Sequence, residues 1–499
     1  MMVIGSAQAV NILISILRMK VLALLLGPNG VGLLGIYNGL KDVVVVAAGI
    51  GMGSSGVRQI ASVKGEEQEL SLVRRVLFAA HLVQGVLAML GVWLLRAQIS
   101  EWLFGDRGYA TEVGLIGLTI LLTLLGTAQT VPLQGMRRVG DLGHVTIISA
   151  LVGTIAGLAA VWLYGEPGLI WFVVLQPLVT IVIVMRYTRR LPKPTAAHPS
   201  FTEIWDVWKP MAKLGIAFML GGLATMVTLL LIRSLITHEL GLEAAGQFAA
   251  AWGITMTYVS VLLAAMAADY YSRLTEVIND RFAATQLMND QVHLGLAIGG
   301  PVLLLLIGLA PWAVTLLYSA EFTPAVELLQ WQTVGNLVKL TSWPLAYSII
   351  AAARSKTFFV MELSFNIVFL ATSWILLPVL GLQVTAIAFF AGHIVYFAIV
   401  NTIVHKFQGF RWQPQSLLLL LLHFTLALAL LALARTEPLL AAITSIGLAL
   451  ATGLFGLREI LIKTGPGGRL TARLTRIYEV IGWWPIVHTK TKPDNESTK

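Results

Sequence analysis

Six charged residues stand inside apolar runs where a hydrocarbon interior would surround them. They are Arg18, Lys20, Lys41 and Asp42 near the start of the chain, and Lys339 and Glu362 far downstream. A charge near mid-bilayer costs about 3 kcal/mol or more unless it meets a wet cavity or a partner. Lys20 has six more apolar residues after it, so its stem does not easily reach an interface by snorkelling. Lys41 and Asp42 are neighbours and project about 100° apart on a helix, so each is expected to find another partner or a cavity. Lys339 shares a helix face with Asn336 and, a turn further back, Gln332, a polar stripe that points to a cavity; an ion pair with Glu362 is the competing expectation. His81, His293 and His393 read as interfacial or packed rings. Four cations against two carboxylates make this interior positive. Such a vestibule suits an anion, above all a phosphate or diphosphate, which Arg and Lys bind by charge-assisted hydrogen bonds. A cation exporter would require the opposite sign.

The elements that must hold these residues are membrane-spanning helices. The chain has 499 residues, 57% hydrophobic and 12% charged, a composition foreign to soluble domains. A span needs about 20 apolar residues, and such runs are expected at 3–26, 33–56, 72–95, 112–135, 142–164, 167–187, 211–236, 246–268, 291–318, 327–353, 357–380, 382–405, 416–434 and 438–463. Of 34 Lys and Arg, 26 fall in one alternate set of connections and the tail; Arg96, Arg107, Arg233 and Arg435 fall in the other, and four lie within helices. By the positive-inside rule this places both termini in the cytoplasm. The net charge of +9 is thus a matter of topology, and no nucleic-acid partner is implied. The first run lacks a basic leader and a small-residue cleavage site and reads as a first helix.

The chain repeats itself. Gly27-Pro-Asn-Gly-Val-Gly32 follows the first span and Gly241-Leu-Glu-Ala-Ala-Gly246 the seventh, an offset of 214. Glu101-Trp-Leu-Phe-Gly105 has its counterpart in Val314-Thr-Leu-Leu-Tyr318, each a short amphipathic foot before the next span. Two six-helix halves are a transporter signature. The expected organisation is an N-terminal lobe at 1–187, a basic cytoplasmic linker at 188–210, a C-terminal lobe at 211–405, an appended two-helix hairpin at 406–463 and a cytoplasmic amphipathic tail at 464–499. In that tail Arg469, Arg473 and Arg476 interleave with apolar residues before Trp483 and Trp484, the pattern of an interfacial helix on anionic lipid, and 489–499 is expected to be disordered.

Other chemistries are missing. There is no GxxxxGK[ST] loop for an ATP motor and no metal-ligand spacing, and the absence of cysteine excludes thiolate chemistry and disulfides. Gly49-Ile-Gly51-Met-Gly53 reads as close helix packing or a flexible point.

At this point the residues resemble a family. Leu26-Gly-Pro-Asn-Gly-Val-Gly-Leu33 is similar to the L-G-P-x-G-x-G-L turn of bacterial polysaccharide flippases in the multidrug/oligosaccharidyl-lipid/polysaccharide exporter superfamily. Gly51-Met-Gly-Ser-Ser-Gly-Val-Arg-Gln-Ile60 and Ser272-Arg-Leu-Thr-Glu276 resemble their second and eighth helices. Phe322-Thr-Pro-Ala-Val-Glu-Leu-Leu-Gln-Trp-Gln332, through Val338-Lys339 and Ala353 to Glu362, resembles the Wzx-type translocases, in particular the enterobacterial-common-antigen lipid III flippases. The resemblance covers about residues 1–405. It implies an all-α integral membrane fold of about fourteen spans, with two lobes in a V-shaped arrangement like that of the multidrug exporters. It also implies transport of an undecaprenyl-diphosphate-linked glycan across a bacterial inner membrane by alternating access, and the company of a polysaccharide polymerase and a chain-length regulator.

By resemblance Lys20, Lys41 and Lys339 take substrate-contact roles; Arg18 joins them on burial alone. Asp42 and Glu362 are candidates for coupling or ion pairing. No cofactor is expected, and proton or sodium coupling is left open. The appended hairpin departs from the twelve spans usual in these flippases; fourteen is the number in lipid II flippases. A drug or cation antiporter of the same superfamily should carry acidic residues where Arg18, Lys20 and Lys41 stand. A membrane glycosyltransferase should carry large polar outer loops, and the longest here, about 96–111, offers only Glu101, Asp106 and Arg107.

Overall fold

The computed structural model describes residues 2–191, 200–464 and 469–483, and among them all regular structure is helical. The chain runs through α1 (Met2–Gly49), α2 (Met52–Ser62), α3 (Glu67–Leu94), α4 (Arg96–Phe104), α5 (Ala110–Gly135), α6 (Val139–Tyr164) and α7 (Gly168–Thr188). It continues through α8 (Phe201–Val277), α9 (Arg281–Gly308), α10 (Ala310–Leu317), a single 3-10 turn (Ala320–Phe322), α11 (Ala325–Ala351), α12 (Ser355–Leu380) and α13 (Gln383–Gln408). The last elements are α14 (Pro414–Thr436), α15 (Pro438–Thr464) and α16 (Arg469–Val480). Eleven described helices are long and apolar enough to cross a membrane. Two of these, α1 and α8, each hold two spans, because the chain breaks at Gly27 (φ 62°) and Gly241 (φ 88°). Only glycine adopts these dihedrals without strain. The fourteenth span is α11, whose buried Gln330, Gln332, Thr333 and Asn336 lower its apolar content.

The duplication is written into the helix bounds. Helix α9 begins and ends 214 residues after α3, α10 begins 214 residues after α4, and α12 begins and ends 216 residues after α6. The two glycine turns also pack against each other with pseudo-twofold reciprocity. A Cβ on Gly32 would lie 2.3 Å from the carbonyl oxygen of Leu242, and one on Gly246 would lie 1.9 Å from that of Pro28. Gly32 and Pro28 shifted by 214 become Gly246 and Leu242, so each contact is the counterpart of the other. Glycine is needed here because two backbones meet where no side chain fits.

Some expected boundaries move. The second span does not run to residue 56: it stops at Gly49, and the chain turns at Ile50 (φ 47°) and Gly51 (φ 62°) before α2. A β-branched residue at positive φ costs of the order of 1–2 kcal/mol, and the turn is held because Gly51 meets the backbone of Gly215, its missing Cβ falling 2.0 Å from that carbonyl oxygen. The ninth span ends at Gly308 and α10 follows as a separate foot, and the eighth continues to Val277. In the linker, residues 192–199 lie outside the described residues, but Phe201–Lys209 is helix and runs through Pro210 straight into the seventh span. Its start is a capping box: Ser200 Oγ accepts from the Glu203 amide at 3.3 Å, and the Ser200 amide donates to Glu203 Oε2 at 2.7 Å. That hydrogen bond holds the Glu203 carboxyl below its usual range.

Each lobe has its own core. Leu33, Ile36, Tyr37, Ile116, Ile120 and Phe172 are buried together in the N-terminal lobe, and Phe248, Leu296, Leu337, Phe369 and Phe389 in the C-terminal lobe. A third cluster joins the lobes at the end carrying the glycine turns, where Ala23 and Val31 pack with Ala250, Val314 and Phe322. The hairpin α14–α15 lies on α9 at glycines: Gly300 faces the ring of His423, Gly308 faces Ser445, and Gly456 meets the Ala297 carbonyl. Helix α16 leans on α15 through Tyr478, whose hydroxyl donates to the Leu454 carbonyl at 2.7 Å. Gly465–Gly468, Trp484 and 489–499 of the expected tail lie outside the described residues.

Candidate functional site

Folding α1 back on itself at Gly27 sets Arg18, in its first half, across from Lys41, in its second. With α5 and α7 these halves enclose a cavity of about 430 Å³ inside the N-terminal lobe, lined by Arg18, Asn38 and Lys41 on one side. Lys41 Nζ donates to Asn38 Oδ1 at 3.0 Å, one turn earlier, and lies 3.3 Å from Asp42 Oδ1. This corrects the expectation that adjacent residues could not pair: the four-methylene stem bends back across the helix surface to reach Asp42, which is half exposed. An ammonium carries three donors, so one remains for a ligand. Arg18 stands with its guanidinium carbon 5.7 Å from the Phe172 ring centroid, and its Nε is buried with no partner. The volume is that of a small-ligand site.

The other wall was not foreseen. Thr123, Thr127 and Thr130 of α5 and Thr180 of α7 line the same cavity, with Gln176 and Pro177. An adjoining cavity of about 480 Å³ shares Thr127 and Thr130 and continues past Ser54 and Gln134 toward the end that carries most of the Arg and Lys. The signal was present in the sequence as threonines four apart at 119, 123 and 127, one helix face.

The remaining predicted residues lie elsewhere. Lys20 does not line this cavity. Its ammonium donates to the carbonyls of Thr315 and Tyr318, so it ties α1 to α10 across the lobes. Arg233, which the sequence places in a connection, lies within α8 and reaches across to α1, its Nη1 donating to the Gly35 carbonyl at 2.8 Å. The Gln247 amide donates to the Glu321 carbonyl at 2.9 Å and Ser234 Oγ to that of Trp102 at 3.0 Å. The Lys20, Arg233 and Ser234 contacts close the lobes at the glycine-turn end, and the Gln247 contact braces that end within the C-terminal lobe.

Lys339 is half-buried in the C-terminal lobe, with Met256 Sδ at 4.0 Å as its contact. No ion pair with Glu362 forms among the described residues; Glu362 Oε1 instead accepts from the Tyr396 hydroxyl at 2.7 Å. Around them Asn336, Gln332 Nε2 and both ring nitrogens of His393 are buried without partners, the imidazole stacked on Phe365 at 4.4 Å. Of the six predicted residues the structure therefore unites Arg18 and Lys41 in one cavity, with Asp42 beside Lys41, and leaves Lys20 at a lobe contact and Lys339 and Glu362 in a second polar cluster. His81 is a packed ring, its Nδ1 2.8 Å from the Leu77 carbonyl.

Among the described residues, a bundle of fourteen spans whose first twelve form two repeated halves, with a cationic, hydroxyl-lined cavity between its helices, defines a multi-pass membrane transporter. Residues 21–327 match the polysaccharide biosynthesis protein family, and the chain belongs to that family. It is 26% identical over 387 residues to the lipid III flippase of Escherichia coli (strain K12), covering 76% of this chain and 91% of that protein, and equally to the lipid III flippase of Shigella flexneri. Among solved structures, the lipid II flippase MurJ in an inward closed conformation superposes with a TM-score of 0.66 at 13% identity, over 93% of this chain and all of that one. An inward-facing multidrug resistance MATE family transporter of the MOP superfamily superposes with a TM-score of 0.60 at 16% identity, over 86% of this chain and 96% of that one. At these identities the structures show the shared two-lobed, V-shaped fold.

Proposed function

We propose that this chain is a flippase that moves an undecaprenyl-diphosphate-linked oligosaccharide from the cytoplasmic to the opposite leaflet of a bacterial inner membrane, its basic end facing the cytoplasm. The observation that carries this reading is the pairing of unspent Arg18 and Lys41 donors with a hydroxyl-lined cavity, in a chain of the polysaccharide biosynthesis family. A diphosphate offers acceptors alone, and two cationic donors match it. The sugar head is too polar to cross hydrocarbon, so it travels in the cavity while the polyprenyl tail stays in lipid.

In this reading 1–187 and 211–405 are the moving lobes, 188–210 links them, and 406–463 and 464–499 are accessory. Lys20 latches the glycine-turn end and turns toward the substrate when that end opens. Lys339 is the cation of the second lobe, and Asp42 and Glu362 are the carboxylates available to a coupling proton or sodium ion. The positive sign of the cavity disfavours a cation antiporter.

The test is a leaflet assay in proteoliposomes. Fluorescent undecaprenyl diphosphate bearing a short oligosaccharide should become accessible to a membrane-impermeant quencher with wild type, and at least tenfold more slowly with Arg18→Gln/Lys41→Gln. No movement of the lipid, together with gradient-driven uptake of a cationic dye, would replace the flippase with the antiporter.

A further inference from the structure

The threonine wall has a chemistry of its own. Each of its hydroxyls donates its proton to a carbonyl of its own helix: Thr123 to Thr119 at 2.7 Å, Thr127 to Thr123 at 3.0 Å, Thr130 to Thr127 at 3.1 Å and Thr180 to Gln176 at 2.9 Å. A hydroxyl has one proton and two lone pairs. With the proton committed, what it has left for a ligand is acceptor capacity. Pro177 lines the same cavity and has no N–H to offer the Val173 carbonyl, another lining residue, so a main-chain acceptor loses its helical donor there too. One wall therefore accepts hydrogen bonds while Arg18 and Lys41 opposite donate them.

This division suits two different parts of one ligand. A diphosphate, with acceptors only, gains nothing from the threonine wall and is drawn to the cations. A sugar ring is covered with hydroxyl donors and gains nothing from crowding against an ammonium already engaged by phosphate. The γ-methyl groups that accompany the hydroxyls offer apolar contact to the C–H faces of a pyranose. The wall is also elongated. From Thr123 to Gln134, which line the two adjoining cavities, eleven helical rises span about 16 Å, the reach of a short oligosaccharide.

We propose that Thr123, Thr127, Thr130 and Thr180 form the glycan-reading subsite, accepting hydrogen bonds from the hydroxyls of the sugars next to the diphosphate. This rests on the flippase reading, because it takes the ligand to be a glycosyl diphosphate lipid. The wall sets which lipids are carried, and the cations set that a diphosphate lipid is carried at all.

Equilibrium binding to the purified full-length chain separates the two. The probes are undecaprenyl diphosphate and undecaprenyl diphosphate bearing a single hexose. Wild type should prefer the glycosylated probe by about fivefold or more, the worth of one or two net hydrogen bonds. Thr127→Val/Thr130→Val, nearly isosteric, should abolish that preference and leave affinity for the bare lipid within twofold, which also shows that the variant is folded. Thr127→Ser/Thr130→Ser, which keeps both hydroxyls, should retain the preference. A wild type without preference, a Val variant that keeps it, or one that loses both probes equally overturns the subsite. Arg18→Gln/Lys41→Gln should weaken both probes alike; if it weakens neither, the diphosphate reading fails whatever the threonines do.

Discussion

Closure at the glycine-turn end depends on two absent side chains, and restoring one of them should open it. In Gly246→Ala the new Cβ would sit 1.9 Å from the Pro28 carbonyl oxygen and 2.6 Å from its carbonyl carbon. Contacts under 3.0 Å do not persist, and the obstruction is backbone, so the turns must separate by about 1 Å. Overpacking of this kind costs about 1–3 kcal/mol, which acts only on the closed arrangement and shifts the closed-to-open ratio by about 5- to 150-fold. Gly32→Ala, 2.3 Å from the Leu242 carbonyl oxygen, should do the same by pseudosymmetry. The chain has no cysteine, so Asn29→Cys and Glu243→Cys, exposed and equivalent positions on the two turns, can be spin-labelled without further change. Pulsed electron resonance should show one short distance in the parent and a longer population in either alanine variant. Gly91→Ala, with nothing within 4 Å of its Cβ, should match the parent. An unchanged distance distribution in Gly246→Ala would refute the argument that this contact holds the lobes together.

Two further outcomes follow from local packing and charge. Gly300→Ala would place a Cβ 2.3 Å from the His423 ring and should destabilise the α9–hairpin contact by about 1–3 kcal/mol, seen as a lower melting temperature; Gly447→Ala, which meets open space, should leave it unchanged. The Glu203 carboxyl is held below its ordinary value of 4.5 by the Ser200 amide, so its capping contribution is complete above that value and lost as pH falls through the lower folded-state value. Amide-exchange protection at 200–204 should therefore fall in acid below pH 4.5 while that of α5 holds, and an acid-insensitive cap would contradict the assignment.

The spans, the two glycine turns and the feet before α5 and α11 were legible because apolar length and glycine spacing are local properties of the chain. The break at Ile50–Gly51 was only half legible. The run Val43–Ala48 continues smoothly into it, and what ends the helix is a contact with Gly215, more than 160 residues away. The positive sign of the interior was readable; the sorting of its charges was not. Lys20 and Arg18 are two residues apart on one helix, yet one meets carbonyls of the other lobe and the other lines the cavity, a difference set by where neighbouring helices stand. The Lys41–Asp42 pair was misjudged because helical angle fixes where a Cβ points and not where a long stem ends. The threonines escaped notice because each already satisfies its proton within its own helix and so sits quietly in an apolar span.

The most direct test of the central claim is the affinity of the purified chain for undecaprenyl diphosphate, measured for wild type, Arg18→Gln, Lys41→Gln and the double variant. A hydrogen bond to a charged group is worth about 1.5–3 kcal/mol. Each single variant should therefore bind roughly 10- to 100-fold more weakly, and the double more weakly still. Affinity that stays within twofold of wild type in the double variant would mean that the N-terminal cavity does not hold the diphosphate.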